Sequence, residues 1–249
     1  MCTLVILRRS QSRWPVLVAA NRDEMAGRPW KAPGRHWSDR PDVIAGMDEL
    51  AGGSWLGINH MGVMAAILNR VGTLGPQAGK RSRGELVLEA LDHNDALDAA
   101  EALAHLDGRA YRPFNMVLAD NRDAYWVRAD GSAKVQVHPI GEGLHIITAL
   151  DLDDPASPRV AAYAPRFADA AVPDPDAGDW TEWAGLMAHG GTGPDGEEAA
   201  AMCFTRDNGF GTVSSSLIAL PEMGAEQPPQ WLFAPDRPDR TGYTPVILD

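Results

Sequence analysis

The second residue of the chain is a cysteine, and its position gives it a chemistry that an internal cysteine lacks. Cys2 directly follows Met1, so removal of the initiator methionine would leave a free α-amino group beside the thiol. An α-amine has an unperturbed pKa of roughly 7.7–8.0 and a thiol one of about 8.5, so the amine can accept the thiol proton near neutral pH. Cys2 is therefore a candidate nucleophile that carries its own general base. The alternative is a small buried residue at the start of a strand.

A polar tetrapeptide, Asn21-Arg22-Asp23-Glu24, directly follows an apolar segment at residues 14–20. Residues 2–7 and 14–20 are predicted to form a two-stranded hairpin, because both are aliphatic and a polar turn separates them. This hairpin would bring Arg22 and Asp23 close to Cys2, where the arginine would favour the thiolate. The competing interpretation of the tetrapeptide is a hairpin end with solvated charges.

The other chemically competent residues lack the spacing of a metal or phosphate site. The seven histidines include no pair with metal-ligand spacing, and the glycine-rich stretch 190–193 has no Lys-Ser/Thr pair after it, so neither a metal nor a cofactor is predicted. Cys203 lies among apolar neighbours and is expected to pack in the core. Trp30 and Trp37 lie in a segment rich in Pro, Gly and Arg and are candidate substrate-binding residues, although packing is the commoner use of tryptophan.

The composition restricts the partners and the location of the protein. A formal net charge of −12 and a pI of about 4.9 disfavour nucleic acid and anionic membranes as partners. Two cysteines cannot form a disulfide framework, and no apolar stretch reaches the length of a membrane span or a signal peptide. We therefore expect a cytoplasmic protein with a small-molecule substrate or ligand. The oligomeric state stays open.

The order of strand-like and helical segments predicts an α+β layered sandwich. No repeat or boundary divides the chain, so one domain is expected over residues 1–249. Strands are predicted at residues 2–7, 14–20, 54–59, 63–68, 114–119, 124–128, 134–138, 144–148, 212–220 and 230–233. Helices are predicted at residues 86–91 after a capping box at Ser82 and Glu85, at about 95–106, at 158–171 after an N-cap at Ser157, and at 180–187. Residues 26–42 are expected to form a surface loop.

Several short motifs occur in order along nearly the whole chain. They are Met1-Cys2-Thr3, Asn21 to Glu24, Gly52 to Asn59, Leu68-Asn69-Arg70, Ser82 to Glu85, Phe114-Asn115 with Leu118-Ala119-Asp120, and Phe210-Gly211-Thr212 with Ser214-Ser215. In these motifs the chain resembles the NRDE family, which is named for the tetrapeptide and is also called the transport and Golgi organisation family.

The resemblance implies a fold and a set of site residues. The family is similar to amino-terminal-nucleophile hydrolases of the choloylglycine hydrolase and penicillin V acylase type, which also begin Met-Cys-Thr and cleave amide bonds. This implies a four-layer αββα sandwich, with two antiparallel sheets between helix layers. Transferred by motif, Cys2 would attack the carbonyl, Asp23 would orient the freed amine with Arg22 beside it, and Asn69 would lie near the oxyanion site. Asn21 joins the candidate substrate-binding residues.

The chain also departs from the acylase pattern. Ala149 stands where the acylases have an asparagine, and alanine cannot donate a hydrogen bond. Arg22 directly precedes Asp23 and does not align cleanly with the acylase arginine, and Val213 stands where a later arginine would be expected. The reaction class therefore stays a hypothesis, and bile-salt or penicillin substrates are not implied.

We expect a cysteine hydrolase that cleaves non-peptide C–N amide bonds with Cys2, after Met1 is removed, and that needs no cofactor. The alternative on the same fold is a non-enzymatic carrier that takes part in haem trafficking, in which haem would be a ligand. A third interpretation is an interaction protein that retains only the fold.

Overall fold

A computed structural model describes residues 2–190 and 200–248 of the protein. Within these residues the chain is α+β, with two antiparallel sheets. The strands are β1 (Thr3–Arg8), β2 (Val16–Met25), β3 (Trp30–Gly34), β4 (Val43–Asp48), β5 (Leu56–Asn59), β6 (Met64–Asn69), β7 (Phe114–Ala119), β8 (Ala124–Ala129), β9 (Gln136–Pro139), β10 (Gly143–Ile147), β11 (Phe210–Leu220), β12 (Gln230–Ala234) and β13 (Thr244–Pro245). The helices are α1 (Gly84–Leu91), α2 (Ala96–Ala104), α3 (Pro158–Asp169) and α4 (Thr181–Met187).

The chain divides into two compact units. The first comprises residues 1–27 and 142–247, and the second comprises residues 28–141 with Leu248. The single domain over residues 1–249 stays a prediction. Within the described residues, no helix is long and apolar enough to cross a membrane.

The first unit has a six-stranded sheet in the order β10-β1-β2-β11-β12-β13. Strands β1 and β2 form the expected hairpin, with Thr3 opposite Asn21. Helices α3 and α4 pack on one face of this sheet, because side chains that alternate along the central strands form one buried cluster with the helices. This cluster includes Val5, Leu17, Ala19, Leu217, Val160, Phe167 and Trp183.

The second unit has a seven-stranded meander, β3 to β9 in chain order. Helices α1 and α2 cover its core. Two of the sequence motifs meet in this unit, because the backbone nitrogen of Ser54 donates to the carbonyl oxygen of Gly84 at 3.0 Å. A side chain at Gly53 would place its Cβ 2.7 Å from that same oxygen, so the motif needs glycine at position 53 for the close approach of two backbones.

The polar tetrapeptide lies inside β2, and the prediction that the strand ends before it was wrong. Strand β2 continues to Met25, and its polar end pairs with β11, where Asp23 is opposite Thr212. Polarity misled the prediction because Asn21 and Asp23 are buried, at 1% and 2% exposure, and find hydrogen-bond partners there. Buried polar groups are tolerated in a strand when they are paired in this way.

Three smaller differences concern element boundaries. The capping box at Ser82 and Glu85 is not formed, because α1 has no side-chain cap and the carboxylate of Glu85 instead accepts from Tyr111 Oη at 2.6 Å. The expected loop at residues 26–42 contains β3, and strands β4 and β13 were not predicted. The N-cap at Ser157 is confirmed, since its side chain accepts from the backbone nitrogen of Val160.

Candidate active site

Cys2 lies directly before β1, half-buried, beside the backbone of Asp23. The backbone nitrogen of Asp23 donates to Sγ of Cys2 at 3.3 Å, and the thiol donates to the carbonyl oxygen of Asp23 at 3.5 Å. The antiparallel register of β1 and β2 explains the contact, because Thr3 pairs with Asn21 two positions before Asp23. The expectation that a hairpin brings Cys2 and Asp23 together is confirmed.

The surroundings of Cys2 favour its protonated form. Burial raises the pKa of the Cys2 thiol above its ordinary value, and the negative charge of Asp23 raises this pKa further. The positive charge of Arg22 acts in the opposite direction. A thiol in this setting needs a base to become a nucleophile near neutral pH.

Arg22 lies within β2 and is 6% exposed. Its partner in the register of β11 is Ser214. Because facing residues of antiparallel strands share one face of the sheet, Arg22 and Ser214 lie on one face. Cys2 precedes Thr3, which faces Asn21, so continued alternation places the side chain of Cys2 on the face of Arg22.

The carboxylate of Asp23 is held on the other side of the sheet. Nη1 of Arg159, on α3, donates to Oδ2 of Asp23 at 2.9 Å, and Oγ1 of Thr212 donates to Oδ1 at 2.9 Å. The same Nη1 donates to Oγ1 of Thr3 at 2.6 Å. The side chain of Asp23 is 0% exposed and that of Arg159 is 7% exposed. Asp23 thus presents its backbone to the thiol and its side chain to a buried ion pair.

Arg159 and Thr212 were not among the predicted site residues. Thr212 belongs to one of the family motifs, Phe210-Gly211-Thr212, but the motif does not indicate that its side chain binds Asp23. Arg159 is 136 residues from Asp23 along the chain, and a single arginine at the start of a helix carries no signal of such a contact. Only the packing of α3 on the sheet identifies it.

Asn21 has a structural set of contacts. Its Nδ2 atom donates to the carbonyl oxygens of Met187 and Met202, each at 2.9 Å. These two carbonyls belong to the end of α4 and to the segment that precedes β11, so Asn21 joins both to β2. Its part in substrate binding stays a prediction.

The remaining predicted site residues lie in the second unit. Asn69 ends β6 and is half-buried. Trp30 packs edge-on against Trp55 with a ring-centroid distance of 5.7 Å, and Nε1 of Trp37 donates to the carbonyl oxygen of Gly52 at 3.0 Å. Roles for these three residues in catalysis or substrate binding stay predictions.

The segment where the chain departs from the acylases supports α3 instead. Ala149 is 1% exposed, and the neighbouring Thr148 donates from Oγ1 to Oγ of Ser157 at 3.1 Å. Ser157 is the N-cap of α3, two residues before Arg159. This end of β10 therefore fixes the start of the helix that carries the ion-pair partner of Asp23.

The second cysteine has a different environment from the first. Cys203 is buried, as expected, and its thiol donates to Oδ1 of Asp239 at 3.2 Å. Arg237 pairs with Asp239 at 2.6 Å. Burial and the hydrogen bond to Asp239 raise the pKa of the Cys203 thiol to about 11, so this thiol stays protonated at neutral pH. Among the described residues, no group of three or more His, Cys, Asp or Glu side chains could hold a metal ion.

Comparison with protein families places the chain in the Transport and Golgi organisation 2 (TANGO2) family, whose model matches residues 1–173. The chain is 35% identical over 117 residues to the Transport and Golgi organization protein 2 homologs of Homo sapiens and Bos taurus. The match covers 45% of this chain and 41% of those relatives, so it spans about two fifths of their length. The family recognised from the motifs is confirmed.

Solved structures of amino-terminal-nucleophile hydrolases share the fold. The Caenorhabditis elegans ortholog of N-acylethanolamine-hydrolyzing acid amidase has a TM-score of 0.58 at 12% identity, covering 87% of this chain and 92% of that one. Penicillin V acylase from Agrobacterium tumefaciens has a TM-score of 0.51 at 15% identity, covering 98% and 84%. A variant of conjugated bile acid hydrolase from Clostridium perfringens has a TM-score of 0.52 at 13% identity, covering 98% and 92%. At these identities the likeness concerns the fold, and the predicted fold class is confirmed.

Proposed function

We propose that the protein is a cysteine hydrolase of non-peptide C–N amide bonds, with Cys2 as its nucleophile after Met1 is removed. The observation that carries the proposal is the position of Cys2. It lies directly before β1 with Sγ 3.3 Å from the backbone nitrogen of Asp23, and Arg22 provides a nearby positive charge. An N–H donor and a cation both stabilise a thiolate over a thiol.

The raised pKa of the Cys2 thiol means that a nucleophilic Cys2 needs a base, and we propose its own α-amine for that role. A thiol whose pKa is raised by burial needs a proton acceptor close by, and the α-amine of a processed Cys2 is on the same residue. An unperturbed α-amine has a pKa of roughly 7.7–8.0, so about a tenth to a sixth of it is uncharged at pH 7, and this fraction rises steeply above that pH. Pairing of a nucleophile with its own terminal amine is an established mode of activation.

The reaction would take place in two steps. The thiol proton moves to the α-amine, and sulfur attacks the amide carbonyl carbon to form a C–S bond. The C–N bond then breaks, and the leaving amine takes the proton from the ammonium group. Water attacks the resulting thioester, which releases a carboxylic acid and restores the thiol.

The names of the structural neighbours agree with this class of chemistry. They are an amidase that hydrolyses N-acylethanolamines, an acylase of penicillin V and a hydrolase of conjugated bile acids. We propose a small N-acylated amide as the substrate class. A cytoplasmic location remains part of the proposal.

The proposal is tested by mass and by turnover on the full chain. Intact mass is expected to show loss of Met1, and a panel of chromogenic N-acyl anilides of different acyl lengths is expected to release the aniline. Brief incubation followed by acid quenching is expected to add the mass of the acyl group to the peptide that contains Cys2.

Two controls isolate the nucleophile. Cys2→Ala is expected to abolish release and acylation, whereas Cys203→Ala is expected to retain both. A chain with an uncleaved amino-terminal extension keeps the Cys2 thiol but lacks its α-amine, so it is expected to lose turnover. Retention of Met1, turnover that survives Cys2→Ala, or an absence of amide turnover in the wild type would each overturn the proposal.

The haem carrier stays the alternative on the same fold. Titration of the purified protein with haem tests it directly, since a carrier requires a saturable change in haem absorbance. Saturable haem binding, together with no amide turnover at any acyl length, would favour the carrier over the hydrolase.

A further inference from the structure

We propose that Arg159 is a positioning residue of the Cys2 site, which holds and neutralises the carboxylate of Asp23 from the helix side of the sheet. The inference rests on the proposed function for its catalytic meaning, because it concerns the reactivity of Cys2. It assigns a role to a residue on α3. Neither the motif at Asn21 to Glu24 nor the replacement of the acylase asparagine by Ala149 indicates this role.

The geometry separates the two ends of Asp23. Its backbone nitrogen contacts Sγ of Cys2 at 3.3 Å, while its carboxylate accepts from Arg159 and from Thr212, both at 2.9 Å. Because Nη1 of Arg159 also donates to Oγ1 of Thr3, a single nitrogen connects α3 to β1 and to β2. Cys2 directly precedes Thr3 of β1, and its backbone donor is Asp23 of β2, so by holding Thr3 and Asp23 together Arg159 fixes the distance between the thiol and that donor.

The charge of Arg159 has a second consequence. Asp23 and Arg22 are the charged residues of β2 beside Cys2, and Arg159 is the cation that α3 adds behind Asp23. A carboxylate close to a thiol disfavours the thiolate, and an ion pair cancels much of that effect. Arg159 is itself held in place, because its guanidinium carbon also lies 5.1 Å from the centre of the Phe204 ring.

The test measures the reactivity of Cys2 directly and does not require a substrate. The rate of alkylation of Cys2 by iodoacetamide is followed against pH in the full chain, with the modified peptide quantified by mass spectrometry. Arg159→Gln is expected to move the alkylation profile of Cys2 to higher pH by about half a unit to one unit. At pH values below the midpoint, this shift lowers the alkylation rate about three- to tenfold.

Matched variants separate positioning from general damage to the helix. Arg159→Lys keeps the charge, and one ammonium nitrogen can serve both acceptors, so its profile is expected to stay close to that of the wild type. Arg166→Gln removes an exposed arginine from the same helix and is expected to leave the profile unchanged. An unshifted profile in Arg159→Gln, or an equal shift in Arg166→Gln, would overturn the inference.

A double variant keeps the test decisive if Arg159→Gln does not fold. The double variant Asp23→Asn with Arg159→Gln removes both members of the ion pair, so no buried charge is left without its partner. Because the negative charge near the thiol is also gone, the midpoint of the Cys2 alkylation profile is expected to lie at the wild-type pH or below it. A shift to higher pH in this variant would contradict the inference. Absence of amide turnover in the wild type would overturn the proposed function alone, because the alkylation profiles do not depend on turnover.

Discussion

The sulfur atom of Cys2 contacts the backbone of Asp23 on both sides of its Cα atom, with Sγ 3.3 Å from the backbone nitrogen and 3.5 Å from the carbonyl oxygen. The side chain of Asp23 points to the opposite side of the sheet, where Arg159 and Thr212 hold it. A backbone donor cannot rotate away as a side chain can. The contact with the thiol is therefore as well defined as the strand itself, and the stability of the strand depends on what binds the carboxylate.

Removal of the hydroxyl of Thr212 tests that dependence. Thr212→Val keeps the shape of the side chain but removes the hydrogen bond from Oγ1 to Oδ1 of Asp23, which is 2.9 Å long. A hydrogen bond to a charged group contributes about 1.5–3 kcal/mol, so the free energy of unfolding in urea is expected to fall by that amount. Thr212→Ser keeps the hydroxyl and is expected to lose only about 1 kcal/mol for the missing methyl group. Equal losses in the two variants would show that the hydroxyl contributes little.

Asn21→Asp is expected to destabilise the first unit without changing the size of the side chain. Nδ2 of Asn21 donates to two buried carbonyl oxygens at 2.9 Å each, and a carboxylate in its place would face both oxygens with a negative charge. The expected loss in the free energy of unfolding is about 2–4 kcal/mol.

The control for this prediction is Asn208→Asp. Asn208 is exposed and its Oδ1 accepts from the backbone nitrogen of Phe210 at 3.1 Å, so an aspartate keeps the hydrogen bond. A change within about 0.5 kcal/mol is expected there. A stable Asn21→Asp variant would mean that the two carbonyl contacts do not hold α4 and the segment before β11 to β2.

Local sequence signals predicted most of the elements and missed those whose signal depends on distant partners. The strand at residues 114–119 and the start of α3 were predicted correctly, since a largely apolar run and the Ser157-Pro158 pair are local features. The end of β2 was placed too early because the polar residues Asn21 to Glu24 indicated a solvent-exposed turn. Their burial depends on Arg159 and on β11, which are far away in sequence.

The candidate site was predicted in part for the same reason. Cys2 could be paired with Asp23 because a hairpin connects neighbouring segments, and the family motifs pointed to the same residues. The capping box failed because Glu85 had an unforeseen partner in Tyr111. No local rule could assign Arg159 to Asp23 across 136 residues.

Asp239 is expected to contribute to the raised pKa of the Cys203 thiol. Burial and Asp239 raise the pKa of Cys203 to about 11, so the thiol remains protonated until the pH rises toward that value. Asp239→Asn removes a negative charge next to the thiol while Arg237 remains, so the pKa of Cys203 is expected to fall by about one unit. The thiolate absorbance of Cys203, followed against pH in a Cys2→Ala background, measures this pKa.

Asp236→Asn is the control, since Oδ1 of Asp236 accepts from the backbone nitrogen of Arg237 and an amide oxygen can replace it. A midpoint that does not move in Asp239→Asn would exclude Asp239 as a cause.

Gly53→Ala is expected to destabilise the second unit through a backbone clash. A Cβ at position 53 would lie 2.7 Å from the carbonyl oxygen of Gly84 and 2.8 Å from the backbone nitrogen of Glu85. Backbone atoms at the start of α1 cannot rotate away as a side chain would, so the loss in the free energy of unfolding is expected to reach about 1–3 kcal/mol.

Gly27→Ala is the matched control, because a Cβ there would meet no heavy atom within 4 Å, and it is expected to be neutral or to stabilise by about 0.4–1 kcal/mol. Urea unfolding of both variants measures the difference, and equal stability in the two would mean that the segment before β5 can move away from the start of α1 at no cost.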